Sequence, residues 1–164
     1  MFQENAAEFG LAYGGPPTVR RESVQVEPGR QLSALVWGSG DPRVVLLHGG
    51  AQNSHTWDSV ALALSLRLVC IDLPGHGHSD GGRVGSLDLA SNAADVAIVI
   101  RALAPRALVL VGMSLGGLTA LAVAQVAPGL VRRIVLVDVT PGVDSEERCH
   151  NCLRRWSGEL RRVQ

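Results

Sequence analysis

The chain has 164 residues and a formal net charge of zero, with 15 basic and 15 acidic side chains. Hydrophobic residues make up 46% of it and charged residues 18%, which is typical of one globular domain and excludes a disordered chain. The sequence has no basic stripe for nucleic acid and no apolar run near the roughly 20 residues of a membrane span. The polar start lacks the features of a signal peptide, and the three cysteines suit a reducing compartment, so we expect a cytoplasmic protein.

Strands and helices alternate along the chain. Residues 1–20 show no periodicity and include Gly-Gly-Pro-Pro, which predicts a mobile arm before a core at 21–143. Apolar runs predict strands, and helical spacing of apolar residues predicts helices. The strands are expected at 23–26, 32–37, 43–47, 67–72, 107–111 and 133–139, and the helices at 56–65, 87–103 and 115–127. This order predicts an α/β fold, with a mostly parallel sheet of about six strands and helices on both faces.

The sequence Gly-Met-Ser-Leu-Gly at 112–116 joins the fifth predicted strand to a helix. A strand, a tight turn and a helix with serine at the apex form the G-x-S-x-G nucleophile elbow. Gly112 and Gly116 leave room where a Cβ would collide with neighbouring elements, and Met113 shapes the turn. Ser114 is therefore the predicted nucleophile.

A second motif, His48-Gly49-Gly50, follows the apolar strand Val-Val-Leu-Leu. A backbone N–H after such a strand can point at the same spot as the N–H after the nucleophile. Two such donors form an oxyanion hole, each worth about 3–4 kcal/mol of transition-state stabilisation. We place these donors at Gly50 and Leu115, with His48 and Gly49 shaping the turn.

A third motif, at 71–80, runs from a strand through Asp72 into a loop rich in proline, glycine and histidine. With "VVLLHGG", "CIDLPGHGHSD", "LVGMSLGG" and "RIVLVDVTPGV" in this order, the chain resembles the α/β-hydrolase family from about residue 22 to 143. Within that family it is most similar to bacterial haloperoxidases, epoxide hydrolases and C–C-bond hydrolases. The active site is then expected beyond the carboxyl ends of the strands.

The resemblance implies a serine nucleophile, a carboxylate and a histidine base, in that chain order. His150 alone among the histidines follows Ser114, and it comes two strands too early for the family pattern. The four upstream histidines are expected to be structural. Asp138, at the end of the sixth strand, is a candidate acid because some relatives carry the carboxylate there, whereas Asp72 is expected to shape a loop.

Neither a metal nor an organic cofactor is expected. Cys149 and Cys152 form a C-x-x-C, but a structural zinc site needs four ligands and the chain offers no second pair.

The segment 144–164 differs in character from the rest of the chain. It contains Arg-rich stretches without apolar periodicity, and the next reading frame permits a family-like continuation after about Arg148. We therefore expect a frameshift that shortened the protein, leaving an incomplete fold. The last strand, apolar on both faces, would then be an uncovered edge open to self-association.

Two functions follow from the sequence. The first is a serine hydrolase of small ester, amide or related substrates. The second is a truncated, catalytically inactive remnant that lacks the triad histidine.

Overall fold

The computed structural model describes residues 1–81 and 89–139 of the chain. A six-stranded sheet in the order β1-β2-β4-β3-β5-β6 forms its centre. The first two strands form an antiparallel hairpin, and β2 also pairs with β4 in the antiparallel sense. The pairs β3·β4, β3·β5 and β5·β6 are parallel, as the βαβ pattern of the sequence predicts. The predicted α/β class is thus confirmed.

The bounds of the elements lie within a few residues of those predicted. The strands are β1 Val19–Glu27, β2 Arg30–Trp37, β3 Val44–Leu47, β4 Leu68–Ile71, β5 Val109–Met113 and β6 Arg133–Val137. The helices are α1 Phe2–Glu8, α2 Asp58–Leu64, α3 Leu89–Leu103 and α4 Leu115–Val126, with a 3₁₀ turn at Ser54–Trp57 before α2. None of the helices in the described part of the chain has the length and hydropathy needed to cross a bilayer.

The N-terminal segment differs from the predicted arm, because α1 forms within it and β1 already begins at Val19. Ala6 is buried, and the ring of Phe2 packs edge-on against Trp37 with the centroids 5.3 Å apart. A helix of seven residues is not stable alone, so this packing accounts for it. Local periodicity could not reveal the helix because its apolar contacts are so few.

The core has one layer on each face of the sheet. On one face, α3 and α4 pack on a cluster that includes Leu32, Leu47 and Ile71. On the other face, α2 and the first residue of α1, Phe2, cover a smaller cluster that includes Trp37, Leu46 and Cys70. Because the sheet is covered on both faces, β3 and β4 are buried along their whole lengths.

Strand β6 is the last strand of the sheet among the described residues. Its side chains alternate between exposed and half-buried, and Val135 and Val137 are 46% and 36% exposed. The predicted apolar edge is therefore present in the described part of the chain. The carboxyl ends of β3, β4, β5 and β6 lie along one edge of the sheet, and this edge carries the candidate site.

Candidate active site

Ser114 lies between β5 and α4 with a positive φ of 47°, a backbone conformation that residues other than glycine seldom adopt. Its N–H donates to the carbonyl of Val137, which ties the turn to β6. The residue is exposed, and its Oγ forms no hydrogen bond with a described residue. The turn therefore presents a strained serine with its hydroxyl unengaged by the described residues.

Two glycines let the turn close this tightly. A Cβ on Gly112 would collide with the carbonyl of Gly116, and a Cβ on Gly116 would collide with the carbonyls of Leu47 and His48. The obstacles are backbone atoms, which cannot swing away. The elbow is thus packed directly against the end of β3.

The turn after β3 lies beside the nucleophile. A Cβ built on Gly49 would be 3.5 Å from Cβ of Ser114. The N–H of Gly49 donates to Oε1 of Gln52 at 2.9 Å, so it is already engaged. No described residue accepts a hydrogen bond from the N–H of Gly50 or of Leu115, and Gly50 is exposed. The two N–H groups predicted as oxyanion donors are therefore free within the described structure.

His48 is buried, and both ring nitrogens are engaged. Nε2 accepts the N–H of Leu73 at 3.0 Å, so Nδ1 carries the proton and donates to the carbonyl of Gly49 at 2.7 Å. Burial lowers the pKa of this ring, and the nearby ring of His76 lowers it further. A neutral imidazole without a free nitrogen cannot accept the serine proton. In this geometry His48 braces the β3 and β4 loops against each other.

Asp72 follows β4 and is completely buried. Its carboxylate accepts the backbone N–H of Ser54 at 2.6 Å, the N–H of His78 at 3.1 Å and Nη1 of Arg21 at 2.9 Å. Burial would raise the pKa of this carboxyl, but these hydrogen bonds and the Arg21 charge outweigh it, so the pKa lies below its ordinary value. Asp72 therefore holds three separate segments together, and none of its contacts involves Ser114.

A second buried carboxylate, Asp58, lies close by. Its Oδ2 accepts Nδ1 of His55 at 2.9 Å, and Nε2 of His55 is 3.3 Å from Nη2 of Arg21. The other oxygen, Oδ1, is buried without a hydrogen-bond partner among the described residues. Burial raises the pKa of Asp58, against the lowering effect of His55. Unlike Asp72, this carboxylate is only half satisfied.

Sequence reasoning missed the roles of Arg21, Gln52 and the His55–Asp58 pair. Arg21 lies on β1, far along the chain from Asp72, and the pattern of β1 gives no signal of that contact. Gln52 and Asp58 could have been weighed, since both lie within ten residues of the His-Gly-Gly motif.

The candidate acid Asp138 directly follows β6, one residue after the carbonyl that accepts the Ser114 N–H. It is exposed with a positive φ of 50°, and its carboxylate contacts no described histidine. Met113, the last residue of β5, is half-buried against the smaller core cluster.

None of the histidines in the described part of the chain forms a hydrogen bond with Ser114. His76 points Nδ1 at the carbonyl of Pro74, at 3.0 Å, and His78 is exposed. The predictions about His150, Cys149, Cys152 and the tail fall outside the described residues. No group of three or more metal-ligand side chains occurs in residues 1–81 and 89–139.

A strained serine between strand and helix, faced by a His-Gly-Gly turn at the carboxyl edge of a parallel sheet, defines a nucleophile-elbow protein. The model of the alpha/beta hydrolase fold family matches residues 42–153. The chain belongs to this family.

Among curated relatives, the chain is 49% identical over 142 residues to the esterase Rv0045c of Mycobacterium tuberculosis. It is 36% identical over 132 residues to a pimeloyl-[acyl-carrier protein] methyl ester esterase of Pectobacterium carotovorum. These matches cover 86% and 77% of this chain but 45% and 47% of the relatives. The chain therefore spans about half the length of the curated relatives it matches.

The solved structures agree with this placement. A structure of the M. tuberculosis esterase superposes with a TM-score of 0.79 at 43% identity, covering 96% of this chain and 50% of that one. An epoxide hydrolase, CorEH, gives a TM-score of 0.67 at 28% identity and covers 79% of this chain and 46% of its own. The expected similarity to epoxide hydrolases is found, but both curated relatives above are named as esterases.

Proposed function

We propose that this site is built to hydrolyse small carboxylic esters, with Ser114 as the nucleophile and the N–H groups of Gly50 and Leu115 as the oxyanion hole. The observation that carries the proposal is the elbow itself. A serine held at positive φ at the end of β5, with its Oγ unengaged by described residues, has no evident packing role. The esterase names of the relatives support esters over other acyl substrates.

In the proposed reaction, Oγ of Ser114 attacks the ester carbonyl carbon and its proton passes to a base. The carbonyl oxygen becomes an oxyanion that accepts the two free N–H groups. As this intermediate collapses, the base returns the proton to the leaving oxygen, so that the alcohol departs and an acyl-serine remains. Water, giving a proton to the same base, then attacks the acyl carbon, and the carboxylic acid leaves as Ser114 regains its proton. Asp138 is the proposed carboxylate, because it follows the strand whose carbonyl holds the Ser114 N–H.

A second candidate function is a catalytically silent member of the family. The described histidines favour this candidate, because His48 has no free ring nitrogen and the other three form no hydrogen bond with Ser114. Within the sequence, only His150 is left to serve as the base. A hydroxyl without a base is a weak nucleophile, so a chain without that contact would bind ester substrates but not turn them over.

Labelling with a fluorophosphonate probe and turnover of p-nitrophenyl butyrate separate the two candidates. The esterase proposal expects labelling and turnover by the 164-residue chain, and loss of both in Ser114→Ala. Ser39→Ala, an exposed serine elsewhere on the surface, is the matched control and should retain both.

A His150→Gln variant tests the base. If it keeps full turnover while Ser114→Ala loses it, His150 is excluded as the base. If the chain of native sequence neither labels nor turns over, although circular dichroism shows it folded, the silent candidate is correct.

A further inference from the structure

We propose that the outer edge of β6 is a self-complementary interface, on which a second copy of this chain pairs antiparallel around Val135. The inference rests on three independent features of the strand: the direction of its backbone groups, its order of charges and the exposure of its apolar side chains.

The backbone groups of alternate residues in β6 face outward. The carbonyl of Val137 accepts the Ser114 N–H, so the polar groups of Val137 point toward β5. Because this direction alternates along a strand, the N–H and C=O groups of Arg133 and Val135 also point toward β5 and form hydrogen bonds with it. The N–H and C=O groups of Ile134 and Leu136 therefore face away from the sheet, and no described strand pairs with them.

An antiparallel second copy satisfies all four of these groups in each chain. If Val135 lies opposite Val135 of the other copy, Ile134 faces Leu136 in both halves of the pair. Opposed residues whose polar groups point at each other exchange two hydrogen bonds, so this register forms four bonds between the strands. A shift by one residue would oppose outward groups to inward ones, and the hydrogen bonds would be lost.

The charges fit the same register. The strand is preceded by Arg132 and followed by Asp138, and both are exposed. With Val135 on the two-fold axis, Arg132 of each copy lies opposite Asp138 of the other. A parallel pairing in register would instead place Arg132 beside Arg132 and Asp138 beside Asp138. The order of charges thus selects the antiparallel, two-fold arrangement, as an isologous interface requires.

The apolar side chains supply the contact. Val135 and Val137 are 46% and 36% exposed on one face of the sheet. In the proposed register the two Val135 side chains form a directly opposed pair that is not bridged by hydrogen bonds, the type in which side chains approach most closely. The strand has no lysine, proline or bulge to prevent pairing, and its one charged residue, Arg133, lies opposite Val137 of the other copy in this register.

Sedimentation velocity on the 164-residue chain over the micromolar range tests the proposal. A monomer–dimer equilibrium is expected, and Val135→Lys should abolish the dimer because it places two ammonium groups opposite each other. Val135→Thr, which keeps the branched shape, should dimerise. Val135 is exposed, so both variants should keep the circular dichroism spectrum of the original chain, and at protein concentrations below the dimer dissociation constant they should also keep its melting temperature.

A charge exchange tests the register. Arg132→Asp and Asp138→Arg each place like charges opposite each other at both ends and should weaken the dimer by about tenfold. The double variant restores both opposed pairs and should return the dissociation constant to within about threefold of the original. Arg101→Asp on α3 changes the net charge equally and should leave the dimer intact.

Amide hydrogen exchange measures directly whether the outward N–H groups of β6 are hydrogen-bonded. The amides of Ile134 and Leu136 should exchange rapidly at low protein concentration and become protected as the dimer forms, whereas the amide of Val135 should be protected throughout. A chain that is monomeric at every concentration overturns the proposal. Protection of Ile134 and Leu136 in that monomer would show that another segment of the same chain covers the edge. Failure of the double variant to restore dimerisation overturns the register.

Discussion

The two sides of the candidate site differ in how completely their polar groups are satisfied. On the β3–β4 side, His48 and Asp72 are buried and each holds its neighbours through hydrogen bonds. On the β5–β6 side, Ser114 and Asp138 are exposed, and their side chains make no hydrogen bond with a described residue. The first side is a scaffold held together by these hydrogen bonds, and the second carries exposed polar side chains. The exposed serine thus lies beside a half of the site whose buried side chains hold the loops in place and whose part in the proposed reaction is the backbone N–H of Gly50.

The largest expected effect comes from the glycine at which the two sides touch. Gly116→Ala places a Cβ against the carbonyls of Leu47 and His48. Either the elbow or the end of β3 must move, and we expect a loss of at least about 3 kcal/mol in the free energy of unfolding. Urea denaturation measures it. Gly129→Ala is the matched control, because a Cβ there meets nothing within 4 Å. Equal stability of the two variants would contradict the tight joint between the sides.

How far the sequence predicts each side depends on how local its signals are. The elbow and the His-Gly-Gly turn are contiguous motifs, so Ser114, Gly112 and Gly116 could be placed from spacing alone. The parallel sense of the strands from β3 onward could be predicted because βαβ crossovers join parallel strands, whereas the sequence analysis predicted no strand order. The contact of Arg21 with Asp72 could not, since it joins β1 to a loop about fifty residues later and follows no periodicity. The helix α1 escaped prediction because it depends on the contact of Phe2 with Trp37.

The next largest effect tests the scaffold side. Asp72→Asn keeps the shape of the side chain but removes the charge that faces Arg21 and two backbone N–H groups. The amide also turns one acceptor into a donor, so at least one buried donor loses its partner. We expect a loss of about 3 kcal/mol at neutral pH. Asp80→Asn is the matched control, since the exposed carboxylate of Asp80 accepts, among the described residues, a hydrogen bond from the N–H of Gln31 alone.

The pH dependence of this difference has a defined sign. The pKa of Asp72 is lowered in the folded protein, so its contribution to stability is fully present above the ordinary value of 3.8. It is lost as the pH falls through the lowered pKa. The stability gap between the original chain and Asp72→Asn should therefore narrow below about pH 4. A gap that stays constant down to pH 2 would show that the carboxylate is not the stabilising form.

The smallest expected effect is the change in stability of Asp58→Asn, and its sign is opposite to that of Asp72→Asn. The two variants therefore distinguish the two buried carboxylates of the scaffold side. Burial raises the pKa of Asp58, since it removes the carboxylate from water, and Oδ1 has no hydrogen-bond partner among the described residues to offset this loss. The ionised form of Asp58 is therefore disfavoured in the folded protein. When folding raises the pKa of a carboxyl group, the contribution of that group to stability falls as the pH rises from its pKa in the unfolded chain to its pKa in the folded protein.

Asp58→Asn removes the buried charge but keeps an oxygen that can accept a hydrogen bond from Nδ1–H of His55. We therefore expect this variant to match or exceed the original chain by up to about 1 kcal/mol at neutral pH, and to lose that advantage near pH 4. Urea denaturation at the two pH values measures both. A loss as large as that of Asp72→Asn would mean that the Asp58 charge stabilises the loop, and the contrast between the two carboxylates would be wrong.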